Sequence, residues 1–336
     1  MTQNMAQNSR PAVFLHSGFR TGSTWFWSCF RRAANTCAFY EPFHEGLADL
    51  HPDTLSVAIG DGGTRLRHPT VDAPYFEEYR PLLRPTGGVA FYDGAMALSD
   101  YFYIGPNPPQ HRYLAYLMQH AWDNGKAPVL GFCRSLGRVP WLRQHFSAIN
   151  IVTLRKPWNR WVSYRQHRTR SGNPYFELCS YVIAVVGRNG QYRSFFEDLP
   201  LPPASAEQPL GVYFETLNEE QRLRIFLRVY VLEMMIALRG ADHVVDLERM
   251  TSDADYRTAT TEELRRATGL ADLSFSDCAL PDHDRSADPM FQVCLNEART
   301  RLVNYLAEAE RARAAPDPIV REKAPNQEPV GSRAAE

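Results

Sequence analysis

The segment from Val13 to Arg32 constrains the fold of this chain more than any other. A short apolar run, Val13 to Leu15, meets the glycine-bearing turn HSGFRTGST, then a stretch of bulky apolar residues, WFWSCF, closed by Arg31 and Arg32. The order reads as strand, loop, helix, with two cations at the helix C-terminus where the macrodipole favours them. A loop that enters a helix N-terminus offers unpaired backbone N–H groups at the positive end of a dipole, which is what an oxyanion needs. Gly18 and Gly22 permit tight curvature, Arg20 adds a fixed charge, and Thr21, Ser23 and Thr24 add hydroxyl donors. A nucleoside triphosphatase loop, GxxxxGK followed by Ser or Thr, does not fit. Three residues separate Gly18 from Gly22, and Ser23 stands where the lysine belongs. Alone, a GxxxG spacing is an ordinary turn; the strand before it and the aromatic helix after it mark it as an anion loop.

Other apolar runs lie at Ala38 to Tyr40, Val129 to Cys133, Asn150 to Leu154 and Val244 to Leu247. Helical stretches alternate with them at Arg160 to Arg170, Glu219 to Arg239 and Thr261 to Thr268. This alternation predicts an α/β fold with a mostly parallel sheet and helices on both faces. Ligands of such sheets bind beyond the carboxyl ends of the strands, which puts Ser17 to Thr24, Glu41, Arg134 and Arg155 on one rim. With 336 residues and 44% hydrophobic content, a single large domain over 11–314 is expected. His51 to Gly125, rich in Pro, Gly and aromatics, reads as an insertion with little regular structure before a helix near Arg112 to Trp122. Leu199 to Pro209 reads as a connector, and Met290 to Ala314 as a last helix. Residues 1–10 read as a flexible start and 315–336 as a disordered tail.

A formal net charge of -1 excludes a global field for nucleic acid or membrane surfaces, so an anion site must be local. Six scattered cysteines form no CxxC pair, which argues for packed free thiols and against a zinc site. The start MTQNMAQNSR has neither the basic opening nor the apolar core of a secretory signal, and no apolar run reaches the roughly 18 residues of a membrane span. A cytoplasmic setting is the expectation.

The second basic element is LRKPWNRWVSYRQHR, Leu154 to Arg168. A strand ending at Arg155 and a helix opening at Pro157 bring a guanidinium and, two turns on, the Ser163 hydroxyl beside the same anion. Arg165, Arg168 and Arg170 read as a solvated basic face of that helix.

Together these residues resemble the sulfotransferase superfamily. FRTGSTWFW is similar to the family's 5'-phosphosulfate loop, with Arg20 in the basic place and Trp25 in the aromatic one. RKPWNRWVS resembles its 3'-phosphate motif, Arg-x-Pro with a serine eight residues after the arginine, here Arg155 and Ser163. FYEPFHE resembles the Phe-Glu-Pro-x-x-His element of Golgi carbohydrate sulfotransferases, which also carry arginine in the loop. VLGFCR, ending at Arg134, and VVDLERM follow in the family's order, so the resemblance spans Val13 to Thr268. It implies a P-loop three-layer fold and 3'-phosphoadenosine 5'-phosphosulfate as co-substrate, with no metal. It places the donor against Gly18, Phe19, Arg20, Thr21, Gly22, Ser23, Thr24, Trp25, Arg155 and Ser163. Glu41 becomes the general base, His44 the competing base, Glu45 a third choice, and Arg134 either an anchor for an acidic acceptor or a bridge between carboxylates. Trp25 either stacks on adenine or belongs to the helix core.

The acceptor is expected to be a hydroxyl of a glycan or glycolipid, since the insertion's aromatics can stack on sugars or else form a packed subdomain. Protein tyrosine and small molecules are the alternatives, and the oligomeric state is open. Two other classes stand beside this reading: a P-loop phosphotransferase, which lacks its lysine here, and a nucleotide-binding module without catalysis.

Overall fold

The computed structural model describes residues 10–55, 73–203, 205, 208–283 and 288–314. Residues 1–9 of the expected flexible start, and the expected tail at 315–336, lie outside the described residues. Five parallel strands make one sheet: β1 (Ala12–His16), β2 (Thr36–Tyr40), β3 (Ala127–Phe132), β4 (Ala148–Leu154) and β5 (His243–Asp246), in the order β2-β3-β1-β4-β5. Every residue of β1 is buried, as befits a central parallel strand covered on both faces. Val13 lies opposite Val129 on one side and Ile149 on the other. The ladders run beyond the apolar stretches read from the sequence because pairing is a backbone matter: Thr36 pairs with Ala127, and His243 with Ile151. Leu247, expected to end β5, instead opens a helix capped by Asp246.

The helices are α1 (Ser23–Arg32), α2 (Pro108–Asp123), α3 (Val139–His145), α4 (Pro157–Ser171), α5 (Tyr175–Asn189), α6 (Arg193–Phe196), α7 (Leu210–Glu215), α8 (Glu219–Gly240), α9 (Leu247–Ser252), α10 (Ala254–Thr268) and α11 (Pro289–Ala314). The sequence did not announce α3 or α5. α5 carries a β-branched run, starts without a side-chain cap, and buries Tyr181, Ile183, Ala184 and Val185, so packing overrides propensity. α10 begins well before Thr261 because the Asp253 side chain accepts a hydrogen bond from the Tyr256 N–H.

Successive residues of β3 turn to opposite faces. Gly131 lies under Trp27 of α1, where a Cβ would come within 2.6 Å of the indole, while Phe132 packs on Phe14 and Phe43 with ring centroids 5.7 and 5.2 Å apart. Of the insertion expected over His51 to Gly125, residues 56–72 lie outside the described residues; the rest has only short helical turns before α2, as expected, and adds to this core. Phe76, Tyr79, Tyr92, Tyr101 and Phe102 are buried, and the hydroxyls of Tyr79 and Tyr113 donate to the carbonyls of Tyr40 and Pro42 at 3.1 and 2.9 Å. Phe76 and Tyr79 pack against β2, and Tyr101 and Phe102 against α8 and α5, so these buried rings offer no stacking platform for sugars, while Phe91 and Tyr103 are exposed. The six cysteines are free and buried, and burial pushes the thiols of Cys29 and Cys37 up to about 12. Among the described residues no helix is long and apolar enough to cross a membrane.

Candidate active site

The turn after β1 opens α1 through Gly22, whose φ of 103° is left-handed and suits glycine. Gly18 rests on a buried cation: a Cβ there would lie 2.2 Å from the Arg160 guanidinium. Arg160 donates from Nε to the Phe19 carbonyl at 3.1 Å and from its terminal nitrogens to Glu233 at 3.1 Å, and the Tyr101 hydroxyl donates to the other Glu233 oxygen at 2.8 Å. The pair is buried, so the loop has a charged, hydrogen-bonded floor.

Arg20 sits above that floor. Its Nε donates to Ser163 Oγ at 2.9 Å, and its guanidinium lies 5.2 Å from the Phe176 ring centre. Arg155, following β4, donates to the Arg20 carbonyl at 2.8 Å and to the Pro281 carbonyl at 2.7 Å, with Glu248 3.6 Å from its Nε. Burial, and then the charge of Arg155, lower the pKa of Arg20; burial lowers that of Arg155 too, against the pull of Glu248. The two basic elements of the sequence therefore meet.

Glu41 follows β2 with a φ of 42°. Arg20 has a φ of 60°, so two of the four described non-glycine residues with positive φ are the loop cation and the strand-end carboxylate. Such backbone persists where its surroundings over-determine it. The Glu41 N–H donates to the Gly131 carbonyl at 2.7 Å, and its carboxylate accepts from Arg134. Arg134, 1% exposed, also donates to Glu45 at 2.7 Å and to the Tyr175 hydroxyl, which itself donates to Glu45 at 2.5 Å. Burial works against the Arg134 charge, yet Glu41, Tyr175 and Glu45 overrule it and hold its pKa well above the ordinary value. Of its two expected roles, Arg134 fills the second: it bridges carboxylates.

His44 caps a turn. Its Nδ1 accepts from the Gly46 N–H at 3.0 Å, and burial followed by the Arg134 charge lowers its pKa. The ring is neutral at pH 7 with its proton on Nε2.

All of this borders one cavity of about 760 Å³ at the carboxyl ends of the strands. Phe19, Arg20, Gly22, Ser23, Thr24, Trp25, Glu41, His44, Arg134, Arg155 and Ser163 line it. Gly18 and Thr21 do not. Arg160 closes off Gly18, and Thr21 turns inward, 1% exposed, its hydroxyl without a hydrogen-bond partner among the described residues. Thr21 therefore brings no donor to the cavity by its side chain, contrary to expectation. Trp25 is largely core: it packs against Phe275 at 5.9 Å and donates to Asp277 at 3.2 Å.

Two walls, Ser163 apart, escaped the sequence reading. One is a polar stripe of α4, Ser163, Gln166, His167 and Arg170, continued by Asn173, Tyr175 and Phe176. The helical spacing of i, i+3, i+4 and i+7 from Ser163 was the available signal. Arg165 and Arg168 face away on Glu219 and Glu177; Arg170 is exposed, as expected of a solvated face, and also borders the cavity. The other wall is a strap, Asp277 to His283, with no sequence signal. Arg155 holds it at Pro281, Thr251 at the Leu280 N–H (3.2 Å), and Asn159 at Asp282 and the His283 N–H (2.8 and 3.1 Å).

Neither α1 nor α4 has a side-chain cap or an acidic first turn, whereas Asn218 and Asp253 cap α8 and α10. Their N-terminal N–H groups remain for an oxyanion. Four arginines line the cavity (Arg20, Arg134, Arg155, Arg170) against two carboxylates, Glu41 and Asp277. Fold and site thus define an α/β protein with a cation-lined cavity at the strand ends. No protein-family model, curated protein or solved structure matches the chain, so the geometry carries the functional argument.

Proposed function

We propose that the protein is a sulfotransferase that moves a sulfuryl group from 3'-phosphoadenosine 5'-phosphosulfate to a hydroxyl acceptor. The observation that carries this reading is the convergence of Arg20, Arg155 and Ser163, from two strand-loop-helix units far apart in sequence, in one cavity. A nucleotide with a 5'-phosphosulfate and a separate 3'-phosphate calls for two such grips. The cavity volume falls within the roughly 300 to 1,000 Å³ of small-molecule sites. The strand order, with the anion loop following the central β1, supports a P-loop-type architecture.

In this reading Glu41 takes the acceptor's hydroxyl proton while the acceptor oxygen bonds to sulfur and the bond from sulfur to the bridging phosphate oxygen breaks. Arg134 holds Glu41 at Oε2, which leaves Oε1 for the proton. Arg20 and the loop N–H groups stabilise charge growing on the departing phosphate oxygen, an effect of about 3 to 4 kcal/mol per donor. His44 serves less well as a base, because its Nδ1 lone pair is engaged and its Nε2 carries the proton. In this reading the acceptor is a hydroxyl of a glycan or glycolipid, which the carbohydrate-type element at Glu41 and Pro42 supports and the buried rings of the insertion do not.

Calorimetric titration with 3'-phosphoadenosine 5'-phosphate and, separately, with magnesium ATP tests the donor. The bisphosphate is expected to bind at least tenfold more tightly. Tighter binding of magnesium ATP would replace this reading with a phosphotransferase. Bisphosphate binding without sulfuryl transfer to any of a panel of glycan, lipid, peptide and small-molecule acceptors would replace it with a binding module.

A further inference from the structure

We propose that the Arg170 end of the cavity is an acceptor subsite for a carboxylate, so that the acceptor is a hydroxylated molecule carrying that charge. This rests on the sulfotransferase reading. α4 carries four arginines, and three are paired with carboxylates: Arg160 with Glu233 at 3.1 Å, Arg165 with Glu219 at 3.0 Å, and Arg168 with Glu177 at 2.8 Å. None of these three lines the cavity. Arg170 does, and it makes no ion pair or hydrogen bond with any described residue.

Nothing inside the cavity answers its charge. Glu41 is held by Arg134, and Asp277 by Arg32 at 3.2 Å and by the Trp25 indole. The donor does not answer it either. Seven residues of helix, about 10 Å at 1.5 Å per residue, separate the Arg170 backbone from that of Ser163, where Arg20 and Arg155 already converge.

The surroundings suit an acceptor. Gly172, left-handed at φ 71°, ends α4 and turns the chain so that Asn173, Tyr175 and Phe176 border the same space. Gln166 and Asn173 bring amide groups that match sugar-like hydroxyls, and Phe176, edge-on to His167 at 4.8 Å, brings an apolar surface. His167 adds no charge at neutral pH, since burial and then Arg20 lower its pKa. Charge selection therefore falls to Arg170, whose planar fork matches a carboxylate in two parallel hydrogen bonds.

The test uses the protein saturated with 3'-phosphoadenosine 5'-phosphate, titrated with p-nitrophenyl β-glucuronide and with p-nitrophenyl β-glucoside, which differ at one carboxylate. The glucuronide is expected to bind about tenfold more tightly, the scale of one hydrogen bond to a charged group. That ratio should fall to about one in Arg170→Gln and persist in Arg165→Gln. Equal affinities in the unaltered protein, no detectable binding of either glycoside, or an unchanged ratio in Arg170→Gln would each overturn the subsite. Failure of the unaltered protein to bind the bisphosphate in the preceding titration removes the donor reading itself, and the subsite with it.

Discussion

Arg20 and Glu41 hold left-handed backbone without being glycine, and both face the cavity. Strain of about 1 to 3 kcal/mol at each is tolerated because hydrogen bonds from β3 and β4 lock the flanking chain. If Glu41 is the base, Glu41→Gln, which keeps size and most contacts, should lower turnover about 100-fold or more and leave bisphosphate affinity within a few-fold. Near-normal turnover in steady-state assays would remove Glu41 from that role. Arg155→Ala should weaken binding of 3'-phosphoadenosine 5'-phosphate much more than binding of 5'-AMP; equal losses by calorimetry would show that Arg155 does not read the 3'-phosphate. These positions were legible in the sequence because their types and local spacings carry the chemistry. That Arg134 bridges rim carboxylates was one of two legible roles; that Glu45 and Tyr175 complete the bridge was not, since they lie 89 and 41 residues away and only the fold brings them together.

Among the elements, the strap from Asp277 to His283 bears most directly on how a donor enters. Arg155 is satisfied here by two carbonyls, those of Arg20 and Pro281. Those carbonyls take two of its five N–H donors, so a phosphate oxygen bound by the others shares the guanidinium that holds Pro281, and binding and strap position are linked. Hydrogen exchange measured with and without the bisphosphate should change at 277–283 and at the Leu280 N–H, which now donates to Thr251. Unchanged exchange there alongside demonstrated binding would show that Arg155 keeps both carbonyls. The strap illustrates what a pattern-based reading misses: a non-periodic segment leaves no trace until its contacts are seen. The α4 stripe was legible in principle, but four arginines on one helix read alike until their partners separate them. β1, α1 and β4 were read correctly in kind because apolar runs between turn residues are strong signals.

At the scale of the molecule, His16 ties β1 to β4 and to the turn after β3. Its Nε2 donates to Asn150 Oδ1 on β4 at 3.1 Å, and its Nδ1 lies 2.7 Å from the Ser135 hydroxyl, which can serve the neutral ring as donor. Burial lowers its pKa from 6.5 to about 4, partly offset by Asn150 and Asp242. The unfolded chain takes up this proton near pH 6.5 and the folded one does not until about pH 4. Stability is therefore complete above pH 6.5 and declines as pH falls toward 4, by about 3 kcal/mol in all. Between pH 7.5 and 5.0, urea unfolding should show the unaltered protein losing about 2 kcal/mol more than His16→Gln. Parallel losses in the two would exclude His16 as the cause.

The strand order also dictates when the site can exist. β1 is made first, yet its neighbours on both edges, β3 and β4, are not complete until Phe132 and Leu154, and the strap comes later still, at Asp277 to His283. A chain emerging from the ribosome at about 5 to 20 residues per second holds its anion loop unfinished for many seconds. Ser17 to Thr24 thus wait for their cavity partners, and β1, apolar from Ala12 to Leu15, stays unpaired on both edges until β3 and β4 have been made.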